Sequence, residues 1–464
     1  MDYEVIILGA GPAGLFTAEK ISSEKAGTKV LVIDKGKEIT ERKCPARTNG
    51  KACMQCNICN ISLGVGGAGG LSDGKLNLDN RIGMDLKELQ INKREANNKI
   101  SYIDQAFVKY GADGNLSVPN SEEAKKLVER AKDKDATLLR IKQRHMGSDK
   151  TPRIISNFKE DLMQRGVEFL VKTEVENIEV ENGFELETSK GTLSSKYLVA
   201  APGRGGAYWF RDQAESLGLE YRFGEIDVGV RVEIDAEAYK EVTDLFYDPK
   251  FKMITRKYND PVRTFCTNPQ GEVTAELITD TKGENIILVN GHANKEHKTQ
   301  NTNFAILYTI NLTNPQGDTT EYGRNIAKFA NFISGGKPLI QRYSDLRNHR
   351  RSTEKSISKN RVQPTLQGCN PGDLAMALPS RVMSNIMEAL DTLEKILPGT
   401  VNESTLLYAP EIKFYDTKYS TTKNLETAIK NLYVAGDGVG KSRGIVGAAL
   451  GGLLAAEGIL KKLR

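Results

Sequence analysis

Apolar positions along the chain fall into short β-branched runs that break on glycine and into stretches at helical spacing. Tyr3-Glu4-Val5-Ile6-Ile7-Leu8 predicts a strand, Gly9-Ala10-Gly11-Pro12-Ala13-Gly14 a tight turn, and Leu15-Phe16-Thr17-Ala18-Glu19-Lys20 the helix that follows. A second run, Lys29 to Ile33, predicts another strand and ends on Asp34. Further along, Phe169 to Val175 and Ile178 to Val180 predict strands, Phe184 to Thr188 part of a hairpin, and Tyr197-Leu198-Val199-Ala200 a strand running into Pro202-Gly203-Arg204-Gly205-Gly206. Near the end, Leu432-Tyr433-Val434-Ala435 predicts a strand closing on Gly436-Asp437-Gly438, and residues 440–460 a helix built of small residues.

Between these segments the pattern changes. Residues 84–145 are rich in Lys, Asp and Glu and predict a mostly helical, well-solvated insertion, closed by Arg140 to Gly147. From residue 223 to 415 alternation takes over, with strands at Val228–Val232, Glu272–Leu277 and Asn285–Val289 and a helix at Ser380–Leu397. The expected fold class is α/β: a Rossmann-type parallel sheet with a β-meander, interrupted by an α+β substrate or cap domain. The expected divisions are 1–83, 146–222 and 416–464 for the three parts of the Rossmann-type domain, 84–145 for the insertion and 223–415 for the substrate domain.

The first glycine turn carries chemistry. Gly9 permits the turn, Gly11 lets the backbone approach a pyrophosphate and Gly14 lets the helix pack on the strand. The helix N-terminus offers unpaired N–H groups and the positive end of its dipole to phosphate. Asp34 stands where an acid accepts a hydrogen bond from an adenosine ribose. This unit predicts a bound dinucleotide and does not by itself choose between NAD and FAD. A second glycine-rich loop, Gly64-Val65-Gly66-Gly67-Ala68-Gly69-Gly70 leading to Ser72-Asp73-Gly74-Lys75, has few Cβ atoms to hinder approach to a cofactor.

Composition narrows the partners. The chain has 464 residues, 65 Lys+Arg against 60 Asp+Glu, and a net charge of +5, with the basic residues interspersed rather than gathered. That distribution argues against nucleic acid as the main partner. No basic signal region opens the chain, and the longest apolar stretch, near Gly444 to Ala456, reads as too short and too small-residue-rich to span a bilayer. A cytoplasmic location is expected, and the six cysteines agree, because four crowd into residues 44–59 while Cys266 and Cys369 stand alone.

The Gly436-Asp437 end resembles the second FAD fingerprint of the glutathione-reductase-like flavoprotein superfamily. The resemblance implies that Asp437 binds the ribityl chain or pyrophosphate, that the following helix aims its N-terminus at the flavin, and that Glu174-Val175 packs on the adenine. Together with Gly66 to Gly69, Ser72 to Leu76, Asp227 to Glu233, Asn290-Gly291-His292 and Pro410 to Tyr415, the chain is similar over nearly its whole length to FAD-dependent dehydrogenases described as NAD(FAD)-utilizing. This implies a flavoprotein dehydrogenase or reductase. Because no flavinylation motif stands out, the FAD is expected to be noncovalent, and the expected reaction is hydride transfer between flavin N5 and a small organic substrate, reducing a C=C bond or oxidising a C–H next to a polar group. The expected cofactor residues are Gly9, Gly11, Pro12, Ala13, Gly14, Asp34, Lys35, Gly66, Gly67, Ala68, Gly69, Gly70, Ser72, Val175, Ala201, Gly203, Gly436, Asp437, Gly444 and Ile445. No second complete glycine fingerprint with its acid exists, so electrons come from an NAD(P)H that docks transiently or from another route.

Cys44, Cys53, Cys56 and Cys59 leave three readings open: ligands of a [4Fe-4S] cluster, of zinc, or a redox-active or free thiol group. The first would suit an electron-transfer flavoprotein serving a protein partner. Of the histidines at 145, 292, 297 and 349, His292 past a strand end is the candidate proton donor. Arg231 inside an apolar strand must pair with a carboxylate or an anionic substrate, and Lys75 would put positive charge near the flavin.

Overall fold

A computed structural model describes the chain except residues 46–53, 55, 73, 114–115, 148, 280–283, 294–297, 415–416 and 464. Of the residues singled out above, Cys53, Asp73, His297 and Tyr415 lie outside the described residues.

The run Tyr3–Leu8 forms a strand, Pro12–Glu24 a helix with proline in its first turn, and Val30–Asp34 the neighbouring parallel strand. Gly9 sits at φ +105°, and a Cβ there would stand 2.1 Å from the Ala201 carbonyl oxygen, so only glycine lets the turn close against the neighbouring strand end. Seven strands make this sheet, in the order Glu168–Val171, Val30–Asp34, Tyr3–Leu8, Gly191–Ala200, Phe184–Thr188, Val175–Val180, with Leu432–Val434 pairing beside Gly191–Ala200. The ten-residue strand Gly191–Ala200 does two jobs. Its first half closes the antiparallel meander and its second half lies parallel to both Tyr3–Leu8 and Leu432–Val434.

The last helix, Gly444–Lys462, lies against the first, and their backbones touch because a Cβ on Gly452 would sit 2.1 Å from the Ala13 carbonyl oxygen. The Thr17 hydroxyl bridges the two helices, donating to the Ala13 carbonyl at 2.8 Å and the Gly452 carbonyl at 3.1 Å. The expectation that this stretch is too short for a bilayer is corrected: at 19 residues and mean hydropathy 1.5 it is long and apolar enough, and 78% of that window is buried inside the protein. Its apolar composition reflects burial on all sides of a core helix.

The second unit is an eight-stranded, mainly antiparallel sheet. Its central strands are Leu406–Lys413, Ile226–Asp235, Asn301–Ile310 and Pro261–Asn268. Helix Ser380–Ile396, helix Thr319–Ile333 and a two-stranded ribbon, Glu272–Thr279 with Asn285–His292, pack on it. The segment 84–145 is shared between the two sheets rather than forming one solvated helical insertion. Helix Lys93–Lys109 buries Ala96, Ile100, Ile103 and Phe107 in the core of the first sheet, because its apolar residues repeat at three and four. Helix Glu122–Lys132 buries Ala124, Leu127 and Ala131 in the second core, and strand Ala136–Leu138 extends the second sheet at its edge.

Candidate functional site

Three glycine turns emerge from the C-terminal ends of adjacent parallel strands, the place where open α/β sheets bind ligands. They are held backbone to backbone. The Ala201 N–H donates to the Leu8 carbonyl at 2.8 Å, and the Ala435 N–H to the Ala200 carbonyl at 3.0 Å. A Cβ on Gly438 would approach the Gly203 carbonyl oxygen to 1.9 Å. The loop through Gly66 lies over the first turn, its Gly66 N–H donating to the Ala10 carbonyl at 2.8 Å.

These segments line one cleft of about 260 Å³ together with residues of the second sheet. Of the expected cofactor residues, Gly9, Gly11, Pro12, Ala13, Asp34, Gly67, Ala68, Gly69, Ser72, Ala201, Gly203, Gly436, Asp437, Gly444 and Ile445 line it. Gly14, Gly66, Gly70, Lys35 and Val175 do not. Gly14 packs the helix on the Gly9 carbonyl, Gly66 and Gly70 bond to each other within the loop, and Lys35 pairs with Glu174 at 2.5 Å. Val175 is buried in the core beneath the meander, because the side chain facing inward at the start of that strand meets Ile178, Phe184 and Leu186 rather than the cleft.

Two carboxylates anchor the ends of the cleft. Asp34 accepts the Ala10 N–H at 2.9 Å and the Gly36 N–H at 2.8 Å, and burial still pushes its pKa up. Asp437 accepts the Ser442 hydroxyl and the Gly444 N–H, each at 3.1 Å; loss of water raises its pKa, while Arg204 and Arg443 pull it back. Gly11, extended at φ −76° and ψ −177°, caps the first helix with no side-chain acceptor, leaving its first-turn N–H groups for a ligand. Added Cβ atoms on Gly203 and Gly444 meet nothing within 4 Å. A backbone cradle with an uncapped helix N-terminus and a fixed acid fits a dinucleotide's pyrophosphate and ribose.

Sequence reasoning missed several lining residues: Asn77, Arg204, Asp248, Lys250, Phe265 and Cys266. Lys75 does reach the cleft. Its ammonium donates to the Thr267 carbonyl at 2.5 Å and the Asn268 side-chain oxygen at 3.3 Å. Beneath the glycine loop Arg42 clamps it, donating to the carbonyls of Asn60 (2.9 Å), Ile61 (2.7 Å) and Val65 (2.6 Å); burial lowers its pKa to about 10. A lone arginine between polar residues carried no motif that could have flagged this.

The two other catalytic candidates do not line the cleft. Arg231 is fully buried behind it and bonds to Glu411, which corrects the substrate-facing option in favour of an internal carboxylate. His292 ends a ribbon strand opposite Glu272, and the ribbon's own pairing, not the cleft, fixes its place. Among the described residues no three His, Cys, Asp or Glu gather to hold an ion, so the metal expectation finds no donor set there; Cys44, Cys56 and Cys59 are each half-buried. Cys53 lies outside the described residues.

Over 98% of its length the chain is 23% identical to 80% of a protein of Clostridium beijerinckii described as uncharacterized. In overall structure it can be laid on glycine oxidase from Geobacillus kaustophilus at TM-score 0.41 and 12% identity, covering 99% of this chain and 95% of that one. L-Proline dehydrogenase from P. horikoshii gives 0.42 and 14%, covering 99% and 94%. Residues 225–413, the second sheet and the far wall of the cleft, match the model of the family described as FAD-dependent protein, C-terminal domain-like.

Proposed function

We propose that the protein is an FAD-dependent oxidoreductase acting on a small organic molecule in the cleft between its two sheets. One observation carries the reading: three glycine turns and a glycine loop from distant parts of the chain converge on a single cleft, closed by a domain that matches a family of FAD-dependent proteins. Bound FAD supplies two-electron chemistry, taking or giving a hydride. The chain's own residues do the rest. The first-turn N–H groups after Gly11 hold phosphate, Asp34 accepts from a ribose hydroxyl, and Asp437 with the Gly444 turn positions the chain between them. Lys75, Lys250, Asp248 and Phe265 form the wall that faces a substrate.

Anaerobic spectrophotometry of the purified protein tests this. Its flavin band should bleach stoichiometrically on mixing with one small organic reductant or with NAD(P)H. Flavin inert to all such compounds yet reduced by a ferredoxin would favour electron transfer to a protein partner instead, a reading for which the described residues offer no group of three metal-ligating side chains.

A further inference from the structure

The second sheet ends on one side in a two-residue edge strand, Asn370–Pro371, paired with Leu339–Ile340. Two unlike surfaces meet around this edge. On one side stands the end of helix Thr319–Ile333, held there by the Asn370 amide, which donates to the Ser334 carbonyl at 2.8 Å. The helix packs Ile326, Ala327 and Ala330 into the core, and carries Phe329, Phe332 and Ile333 into solvent at 52%, 83% and 39% exposure. On the other side lie residues 347–361, with six Lys or Arg to one acid, Glu354. Arg347 and Arg361 pair with Asp391 and Asp235. Arg350, Arg351, Lys355 and Lys359 are exposed, and among the described residues no carboxylate lies within ion-pair distance of them. Helix Glu354–Ser358, which bears Lys355, packs on Asn370–Pro371, and the Ser352 N–H donates to the Gly372 carbonyl at 2.9 Å. Gln341 ties in a third piece. Its amide donates to the Arg350 carbonyl at 2.8 Å and its oxygen accepts the Leu374 N–H at 2.8 Å, at the head of the turn that leaves Met376 64% exposed.

Large apolar side chains that protrude together from a folded surface mark a place of contact. The charges beside them say with what. Four cations without carboxylate partners flank the rings, so the contacting surface is anionic where it meets the cations and apolar where it takes the rings. A phospholipid headgroup layer is both, with phosphates outermost and acyl chains just beneath. We propose that this edge of the second sheet docks on an anionic phospholipid bilayer. Phe329, Phe332 and Ile333 enter the boundary between headgroups and acyl chains, and Arg350, Arg351, Lys355 and Lys359 meet the lipid phosphates. None of these residues lines the cleft, so the docking surface is separate from the FAD site and stands without that reading.

Co-sedimentation of the purified full chain with vesicles tests the proposal. The protein should pellet with phosphatidylcholine vesicles that contain phosphatidylglycerol, and partition at least about tenfold more weakly onto phosphatidylcholine alone. Raised salt should release it. Arg350→Gln with Arg351→Gln should weaken partition about 10- to 30-fold, and Phe329→Ser with Phe332→Ser about tenfold. Flavin content and melting temperature should stay at wild-type levels in both, because the altered side chains are exposed. Phe332→Trp should shift its emission to the blue on anionic vesicles, and it still reads the contact if a double variant fails to fold. Failure to bind anionic vesicles overturns the proposal, as does wild-type binding by both double variants or unshifted emission from bound Phe332→Trp protein. Absence of vesicle binding together with dimerisation that the phenylalanine variant abolishes overturns it in favour of a second copy of the chain on this edge.

Discussion

Arg231 and Glu411 form a fully buried, two-pronged ion pair, with Nε 3.1 Å from one carboxylate oxygen and Nη2 3.0 Å from the other. The same guanidinium donates to the Cys266 carbonyl at 2.9 Å, and Cys266, at φ +50°, lines the cleft. The pair thus holds a strained turn of the cleft wall from behind. Removing Arg231 leaves the buried Glu411 carboxylate with only the Lys413 ammonium, 2.7 Å away, to balance it, so Arg231→Met should lower stability, by less than the ~3–5 kcal/mol expected for a fully unpaired buried charge. The double variant Arg231→Met, Glu411→Leu should recover part of that loss, as read by urea denaturation. A single variant as stable as wild type would show that the pair does not hold the wall.

Arg42 offers a second test. Arg42→Met would strip the donor from buried loop carbonyls, each unpaired acceptor costing about 1–3 kcal/mol. The expected result is faster proteolytic cleavage within residues 59–70 and a lower FAD content, with the second sheet's protection unchanged in hydrogen exchange.

The first-sheet half of the cleft was legible because it is local. Gly9 to Gly14, Asp34 and Gly436-Asp437 each declare themselves within a strand, a turn and a helix, and glycine positions forced by close backbone approach cannot be hidden. The second wall was not legible, because Asp248, Lys250, Phe265 and Cys266 meet Lys75 across more than 170 residues of chain through sheet pairings that no local pattern encodes. Arg231 illustrates the limit: its burial was readable from its apolar strand, while its partner, on a strand paired beside it, was one of two open options. Residues 84–145 misled for a related reason. High charge reads as solvation, yet helix Lys93–Lys109 hides a narrow apolar stripe that only the fold assigns to a core.

The raised pKa of Asp34 has a definite sign. Folded apoprotein holds this proton more tightly than the unfolded chain, so the group's contribution to stability is greatest below pH 3.8 and is lost as pH rises through the folded value. A ribose hydroxyl donates best to the ionised carboxylate, so FAD affinity should rise with pH across that same window. Flavin fluorescence quenching between pH 4 and 8 should show the slope, and Asp34→Asn should flatten it while weakening binding by about 1.5–3 kcal/mol.

Burial and the nearby Glu233 push the Cys369 thiol up to about 11. At pH 8 only on the order of 0.1% would be thiolate. Iodoacetamide should therefore leave Cys369 unmodified in the folded protein and alkylate it after unfolding in urea, as mass spectrometry of its peptide would report.

The central claim is that the glycine cradle holds FAD without a covalent bond. Purified protein precipitated with acid should release close to one FAD per chain into the supernatant, and Gly11→Val, whose side chain would occupy the space left for pyrophosphate, should release little or none. Flavin retained in the pellet, or a Gly11→Val protein with a full complement of FAD, would contradict the account.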